Sequence, residues 1–115
     1  MPSVDLHFGP FFLSPAKRLL LRRGQLVPLA PKAFDMLVFL IEHRERVVSK
    51  SELLSALWSD TAVEEANLSQ QVFVLRRALV DPDRPEAEHI ATVARVGYRF
   101  VSPVMNTSSF RTANG

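Results

Sequence analysis

Apolar and polar positions alternate differently in the N-terminal quarter of the chain and in the part that follows it. Between residues 6 and 29, short apolar runs are separated by Gly9-Pro10, Ser14-Pro15 and Gly24; the runs are LHFG, FFLS, RLLLRR and QLVPL. Apolar runs of this length between turn residues are typical of strands joined by hairpins. The pattern therefore predicts a four-stranded antiparallel sheet, with Pro28 on an edge or at a strand end.

From Pro31 onward, the apolar residues recur at spacings of three and four, which is the period of a helix. The residues that follow this spacing are Phe34, Leu37, Val38 and Ile41. Pro31 suits the first turn of a helix, and we predict that this first helix runs from about Lys32 to Arg44.

A second helix is predicted from its capping signal. Ser49 precedes Glu52 by three residues in the S-x-x-E pattern of a capping box. The apolar stripe that follows consists of Leu53, Leu54, Leu57 and Trp58. A polar loop from Ser59 to Glu65 then separates this helix from the next.

A third helix is predicted to start near Glu65–Asn67 and to end at Asp81-Pro82. Its buried stripe at spacings of four, three and four is Leu68, Val72, Leu75 and Leu79. The side chains pointing away from this stripe are Gln70, Phe73, Val74 and Arg77, with Asn67, Gln71 and Arg76 on its flanks. Amides and arginines beside two apolar side chains are unusual on a face that meets only water. This face is predicted to contact a partner.

Residues 90 to 101 contain the strand-forming stretch TVARVGYRF, and we predict a β-hairpin in which Gly97 permits the bend. Arg95 and Arg99 lie on either side of that glycine. The predicted core is Leu37, Ile41, Leu54, Trp58, Leu68, Val72, Leu75 and Phe100. We expect one domain over residues 1–105 and a flexible tail over residues 106–115, where Asn, Thr, Ser and Gly are prominent.

Composition narrows the class of protein. The chain has 115 residues and no cysteine, and no apolar run is long enough to span a bilayer, so we expect a cytoplasmic protein without a membrane segment. Net charge is only +2, but basic residues and carboxylates are segregated along the sequence. One face is therefore suited to phosphate, although solvated surface charge is the alternative explanation.

Reactive constellations are lacking, so we predict neither an enzyme nor a metal or cofactor site. His7, His43 and His89 lack metal-ligand spacing and are each expected to be isolated surface residues. The acidic pairs Glu64/Glu65 and Asp81/Asp83 are expected to be solvated rather than catalytic.

Four blocks in this order resemble the OmpR/PhoB-type winged-helix DNA-binding domain, the transcriptional regulatory protein C-terminal type found in many bacterial phosphorelay response regulators. The blocks are LAPKAFDMLVFL, VVSKSELLSALW, NLSQQVFVLRRAL and HIATVARVGYRF. The order is similar to the CadC-like branch, in which this domain is N-terminal and has no receiver domain. The resemblance covers about residues 6 to 104.

The resemblance implies an α+β fold: a winged helix-turn-helix with an N-terminal four-stranded sheet, three helices and a C-terminal β-hairpin wing. It implies that the third helix enters the major groove of DNA and that the wing approaches the adjacent minor groove. The positions matched on the helix are Asn67, Gln70, Gln71, Val74, Arg76 and Arg77, and those on the wing are Thr92, Ala94, Arg95 and Tyr98. Many relatives have Arg-Gly at Ala94-Arg95, and several have Arg at Phe73 and Val74.

We therefore expect sequence-specific binding of double-stranded DNA by a bacterial transcription regulator. The expected phosphate contacts are Arg76, Arg95, Tyr98 and Lys50. Gln70 is expected to contact base edges, and Gln71 is the second candidate for this contact. A protein-interaction module that uses Phe73 and Val74 is the alternative.

The resemblance also concerns two further interactions, one with RNA polymerase and one between copies of the domain on DNA. In related domains the loop that corresponds to Ser59–Glu65 contacts RNA polymerase, whereas a purely solvated acidic loop is the competing explanation here. Tandem or dimeric binding on DNA is the second expectation.

Overall fold

The computed structural model describes residues 4–59 and 63–106, and the chain forms two compact units. One unit comprises the residues up to Pro28 together with those from Ser102 onward, and the other comprises Leu29–Val101. The helices are α1 (Pro31–Glu42), α2 (Lys50–Leu57) and α3 (Glu65–Ala78). The strands are β1 (Leu6–Phe8), β2 (Phe11–Ser14), β3 (Leu19–Arg22), β4 (Gln25–Leu26), β5 (Val48–Ser49), β6 (Ile90–Val93), β7 (Gly97–Phe100) and β8 (Met105–Asn106).

The first unit is an antiparallel sheet with the strand order β4-β3-β2-β1-β8. Its β1–β4 part confirms the four strands predicted at the N-terminus. Gly24 has φ of 83° in the β3–β4 turn, a conformation that favours glycine. The fifth strand, β8, is not predicted by the sequence pattern, because it has only two residues and pairs with β1, which is distant in the sequence, whereas β4 is paired with its neighbour β3. It pairs Asn106 with Leu6 and therefore includes the first residue of the predicted tail, whereas residues 107–115 lie outside the described part.

The first two helices begin at their predicted signals. Pro31 occupies the first turn of α1, which ends at Glu42, slightly before the predicted Arg44. Ser49 caps α2 through its Oγ, which accepts a hydrogen bond from the Glu52 backbone N–H at 3.1 Å. The pKa of Glu52 is lowered chiefly by its hydrogen bond with Arg46, and a backbone hydrogen bond from Ser49 also lowers it. The capping box is thus confirmed, and Arg46 adds an ion pair to it at 2.6 Å.

The core of the second unit follows the predicted apolar stripes except in α2. Of the predicted core residues, those that are buried are Leu37, Ile41, Leu68, Val72, Leu75 and Phe100. The assignment of Leu54 and Trp58 is wrong, since both are only half-buried and α2 instead buries Leu53 and Leu57. A helix of 8 residues is too short for apolar spacing to separate two adjacent leucines.

The hairpin is confirmed as β6 and β7, and β5 joins it in a three-stranded sheet with the order β5-β7-β6. The predicted role of Gly97 is wrong. The positive φ at the bend belongs to Arg95, at 68°, whereas Gly97 lies in β7 opposite Ser49. A Cβ at position 97 would collide with the carbonyl oxygen of Val48 and come within 2.9 Å of the Ser49 Cα. Gly97 is therefore needed for close strand pairing, not for the turn.

Candidate nucleic-acid interface

The residues predicted to contact DNA all lie in the second unit, on α2, α3 and the β6–β7 hairpin. Burial of Leu68, Val72 and Leu75 fixes the rotation of α3 about its axis. The opposite side then carries the exposed residues Gln70, Phe73 and Arg77, and the exposed residue Asn67 lies on the adjoining flank. We call these four residues the open face. Val74 lies beside them and is half-buried.

One arginine of α3 is held within the protein. Arg76 Nη2 donates hydrogen bonds to the carbonyl oxygen of Ile90 at 2.9 Å and to Thr92 Oγ1 at 2.7 Å. The Arg76 guanidinium carbon also lies 6.0 Å from the centroid of the Tyr98 ring. We call this set of contacts, from Arg76 to Ile90, Thr92 and Tyr98, the brace. It ties α3 to both strands of the hairpin.

The hairpin tip presents an arginine in a different setting. Arg95 is exposed in the left-handed region, and the N–H of Val96 donates to the carbonyl oxygen of Val93 at 3.0 Å to close the turn. Within the described part of the chain, the Arg95 side chain makes neither a hydrogen bond nor an ion pair. The N–H of Lys50 donates to the carbonyl oxygen of Val96 at 3.2 Å, so the start of α2 supports the tip. The Arg95 guanidinium is available to an anion.

A second basic residue near the tip is already paired. Lys50 Nζ lies 2.6 Å from Glu65 Oε2, which joins the first turns of α2 and α3. The hydrogen bond with Glu65, followed by the charge of that carboxylate, raises the pKa of Lys50. A DNA phosphate that approaches Lys50 therefore competes with a carboxylate.

Three other candidates are less accessible than the sequence suggests. Tyr98 is only 6% exposed, so its ring packs in the domain and little of its side chain is accessible to a phosphate. The Oε1 atom of Gln71 is enclosed and has no hydrogen-bond partner among the described residues. Thr92 is exposed, yet its hydroxyl accepts from Arg76 in the brace. The neighbouring arginine on β7, Arg99, donates through Nε to the carbonyl oxygen of Arg44 at 3.2 Å.

The acidic pair at positions 81 and 83 forms a turn. The expectation that this pair is solvated is wrong for Asp81, which is buried and whose Oδ1 accepts the N–H of Asp83 at 3.0 Å. The prediction that His89 is a surface residue is wrong, because it is 8% exposed, and burial lowers its pKa against the opposing effect of Asp81.

Within residues 4–59 and 63–106, no cluster of His, Asp and Glu side chains is arranged to hold a metal ion. In the same residues, no helix is long and apolar enough to cross a bilayer.

Sequence reasoning missed two interactions at this surface. The guanidinium carbon of Arg77 lies 5.7 Å from the centroid of the Phe73 ring, a proximity that the spacing of four residues on a helix could have indicated. The Lys50–Glu65 ion pair joins two helices and has no comparable local signal. Of the predicted loop Ser59–Glu65, residues 60–62 lie outside the described residues.

Comparison with known proteins identifies the class. The family model described as "Transcriptional regulatory protein, C terminal" matches residues 24–100. The transcriptional activator CadC of Escherichia coli (strain K12) is 32% identical over 105 residues, which are 91% of this chain and 20% of CadC. The solved DNA-binding domain of E. coli CadC has a TM-score of 0.80 at 29% identity and covers 92% of this chain and 99% of that domain. The Klebsiella pneumoniae RstA DNA-binding domain, solved in complex with the RstA box, has a TM-score of 0.69 at 27% identity. The match covers 84% of this chain and 95% of the RstA domain.

The chain therefore belongs to the transcriptional regulatory protein C-terminal family, the OmpR/PhoB-type winged-helix domains. It is a DNA-binding domain of a transcription regulator, and the predicted winged-helix fold is confirmed. The chain spans about a fifth of the length of CadC, one of the curated relatives that it matches.

Proposed function

We propose that this chain binds double-stranded DNA with α3 in the major groove and with the β6–β7 hairpin at the adjacent minor groove. The observation that carries this proposal is the brace, because it holds the open face and the Arg95 tip in one unit. The major groove of B-DNA, about 12 Å wide, admits an α-helix. An exposed arginine at a hairpin tip suits a narrow minor groove, where the negative potential is enhanced.

Each side chain of the surface then takes a role that its surroundings allow. Gln70 and Asn67 are the base-reading amides, because both are exposed and an amide can bond adenine N6 and N7. Arg95 contacts the DNA backbone or the minor groove, and Lys50 contacts a phosphate in competition with Glu65. We assign Arg76, Thr92 and Tyr98 to positioning, since their polar and aromatic groups face one another in the brace.

Binding selection with genomic fragments, followed by salt titration on the enriched site, tests this proposal. The purified 115-residue chain should enrich a defined sequence, and the affinity should fall steeply between about 50 and 200 mM salt as phosphate counterions are released. Equal recovery of all fragments would contradict sequence-specific binding. The protected length on the enriched site shows whether one copy binds or, as we propose for a tandem or dimeric arrangement, two copies bind side by side.

A protein-interaction module is the second candidate, and Phe73 favours it because its side chain is 56% exposed. An interaction made through that ring would bury apolar surface and would depend little on salt. A flat salt profile, together with a lack of DNA enrichment, would favour this candidate over DNA binding.

We further propose that the Ser59–Glu65 segment contacts RNA polymerase. Its support is the exposed carboxylate of Glu64, which would be repelled by DNA phosphate and is free to face a protein. Glu64→Gln combined with Asp60→Asn should lower promoter output while DNA affinity is kept. Unchanged output with unchanged binding would identify the segment as a connector.

A further inference from the structure

Phe73 is the single large hydrophobic side chain of α3 that is left exposed, and every residue of this helix is described. Its exposed fraction is 56%, so the ring adds little to the hydrophobic stabilisation of the fold. The side chains around it on the open face, Gln70 and Arg77, are polar and exposed. An aromatic ring in this position is suited to contact something outside the chain.

The ring also organises its neighbour. The guanidinium carbon of Arg77 lies 5.7 Å from the Phe73 ring centroid, within the range of a cation–π interaction. The two residues are four apart on the helix and therefore adjacent on its surface. An arginine supported on an aromatic ring has given up part of its rotamer freedom before it binds, so less entropy is lost when it docks.

The chemistry of base edges says what such a pair can recognise. In the major groove, the 5-methyl group of thymine is the apolar group that the base edges display. The O6 and N7 atoms of guanine can accept two hydrogen bonds from one arginine guanidinium. We propose that Phe73 and Arg77 act as one unit that reads a thymine methyl and a guanine. Successive base pairs are about 3.4 Å apart along the DNA axis. The distance of 5.7 Å from the Phe73 ring centroid to the Arg77 guanidinium carbon is therefore longer than one base-pair step and shorter than two. The guanine should therefore be within two base pairs of the thymine.

This inference rests on the proposed placement of α3 in the major groove, and it adds specificity that amides alone do not supply. Gln70 and Asn67 favour adenine, whereas a ring and a guanidinium favour thymine and guanine. The surface would then discriminate between base pairs by both hydrogen bonds and apolar contact.

Deoxyuridine scanning of the enriched site tests the contribution of Phe73. Each thymine is replaced singly by deoxyuridine, which removes the 5-methyl group and leaves the base-pairing edge intact. The wild-type chain should lose about fourfold in affinity at one thymine, the value expected for one methyl-sized apolar contact. Phe73→Ala should bind the thymine and deoxyuridine sites equally. Val80→Ala is the matched control, because Val80 is an exposed apolar residue beyond the end of α3, and this variant should keep the wild-type difference.

The guanine half is tested with 7-deazaguanine, which removes the N7 acceptor. The wild-type chain should lose about fivefold or more in affinity at one guanine within two base pairs of that thymine. Arg77→Ala should be insensitive to the same replacement. Thermal unfolding of Phe73→Ala and Arg77→Ala controls for folding, and both variants should unfold near the wild-type temperature because both side chains are exposed.

The outcomes separate this inference from the proposed function. If the wild-type chain enriches a defined site but distinguishes thymine from deoxyuridine nowhere, the Phe73–Arg77 inference is overturned and DNA binding stands. A guanine effect more than two base pairs from the thymine also overturns it. If the chain enriches no sequence at all, both the inference and the proposed function fail, and an apolar protein contact through Phe73 takes their place.

Discussion

Arg76 and Arg77 are neighbours in sequence, yet the structure places them in opposite situations. Arg76 belongs to the brace, where it donates to Ile90 and Thr92 and lies near the Tyr98 ring. Arg77 belongs to the open face, where its guanidinium lies against an exposed ring. A helix turns by about 100° per residue, so one side chain meets the hairpin while the next meets the surroundings. The two arginines differ in function because their surroundings differ, although their chemistry is the same.

The largest expected effect comes from breaking the sheet to which the brace is attached. Gly97→Ala places a Cβ against the Val48 carbonyl oxygen, so we expect a loss of about 3 kcal/mol in the free energy of unfolding. Gly24→Ala is the matched control, because Gly24 has a positive φ but no neighbouring atom within 4 Å. It should cost only about 1–2 kcal/mol. Urea unfolding measures both, and equal losses would show that close strand pairing does not require Gly97.

Removal of the brace itself should have the next largest effect. Arg76→Ala deletes two hydrogen bonds from a charged group and should cost about 2 kcal/mol in the free energy of unfolding. DNA affinity should fall for all sequences, because α3 and the hairpin lose their fixed separation, while the slope of affinity against salt stays unchanged. Arg77→Ala is the control and should change unfolding by less than about 0.5 kcal/mol. A stable Arg76→Ala variant with a slope reduced by about one would instead make Arg76 a phosphate ligand.

The contrast between local contacts and contacts with distant residues explains which features of the structure could be predicted from the sequence. Local signals identified the buried stripe of α3 and, through Ser49 and Glu52, the start of α2. Apolar spacing failed only in the short helix α2, where it wrongly placed Leu54 and Trp58 in the core. The roles of Arg76 and Gly97 could not be predicted from the sequence, because the residues that they contact lie 14 or more positions away in the chain. Short elements were missed for the same reason, since β5 and β8 have two residues each and exist through pairing with distant strands.

A residue of the open face should affect sequence preference and leave stability alone. Gln70→Ala should cost about 1–3 kcal/mol on the enriched site and relax the preference at one base pair, with the salt slope unchanged. Gln71→Ala is the control, and because its Oε1 is enclosed it should leave the preference as it is. Binding profiles at each position of the site measure both variants. A profile changed by Gln71 and not by Gln70 would mean that α3 is rotated in the groove.

The hairpin allows a second contrast between arginines, Arg95 and Arg99. Arg95 is exposed and has no partner through its side chain in the described part, so Arg95→Ala should reduce the salt slope by about 0.9 for each phosphate that the arginine neutralises. The fall in affinity should be similar for the enriched site and for unrelated DNA. Arg99→Ala should leave the slope unchanged, because Arg99 donates to the Arg44 carbonyl. An unchanged slope for Arg95→Ala would remove the hairpin tip from the DNA interface.

The smallest expected effect concerns the carboxylate that pairs with Lys50. Glu65→Gln removes the negative charge 2.6 Å from Lys50 Nζ and frees the ammonium for phosphate. DNA affinity should rise by about twofold at low salt, and the gain should disappear at high salt, because an exposed pair of this kind contributes little and is screened. The gain should also disappear when Glu65→Gln is combined with Lys50→Ala, since the two residues then no longer act together. A gain that persists without Lys50 would show that Glu65 opposes DNA through its own charge at the start of α3. In that case, the ion pair would be structural, and Lys50 would not be a DNA ligand.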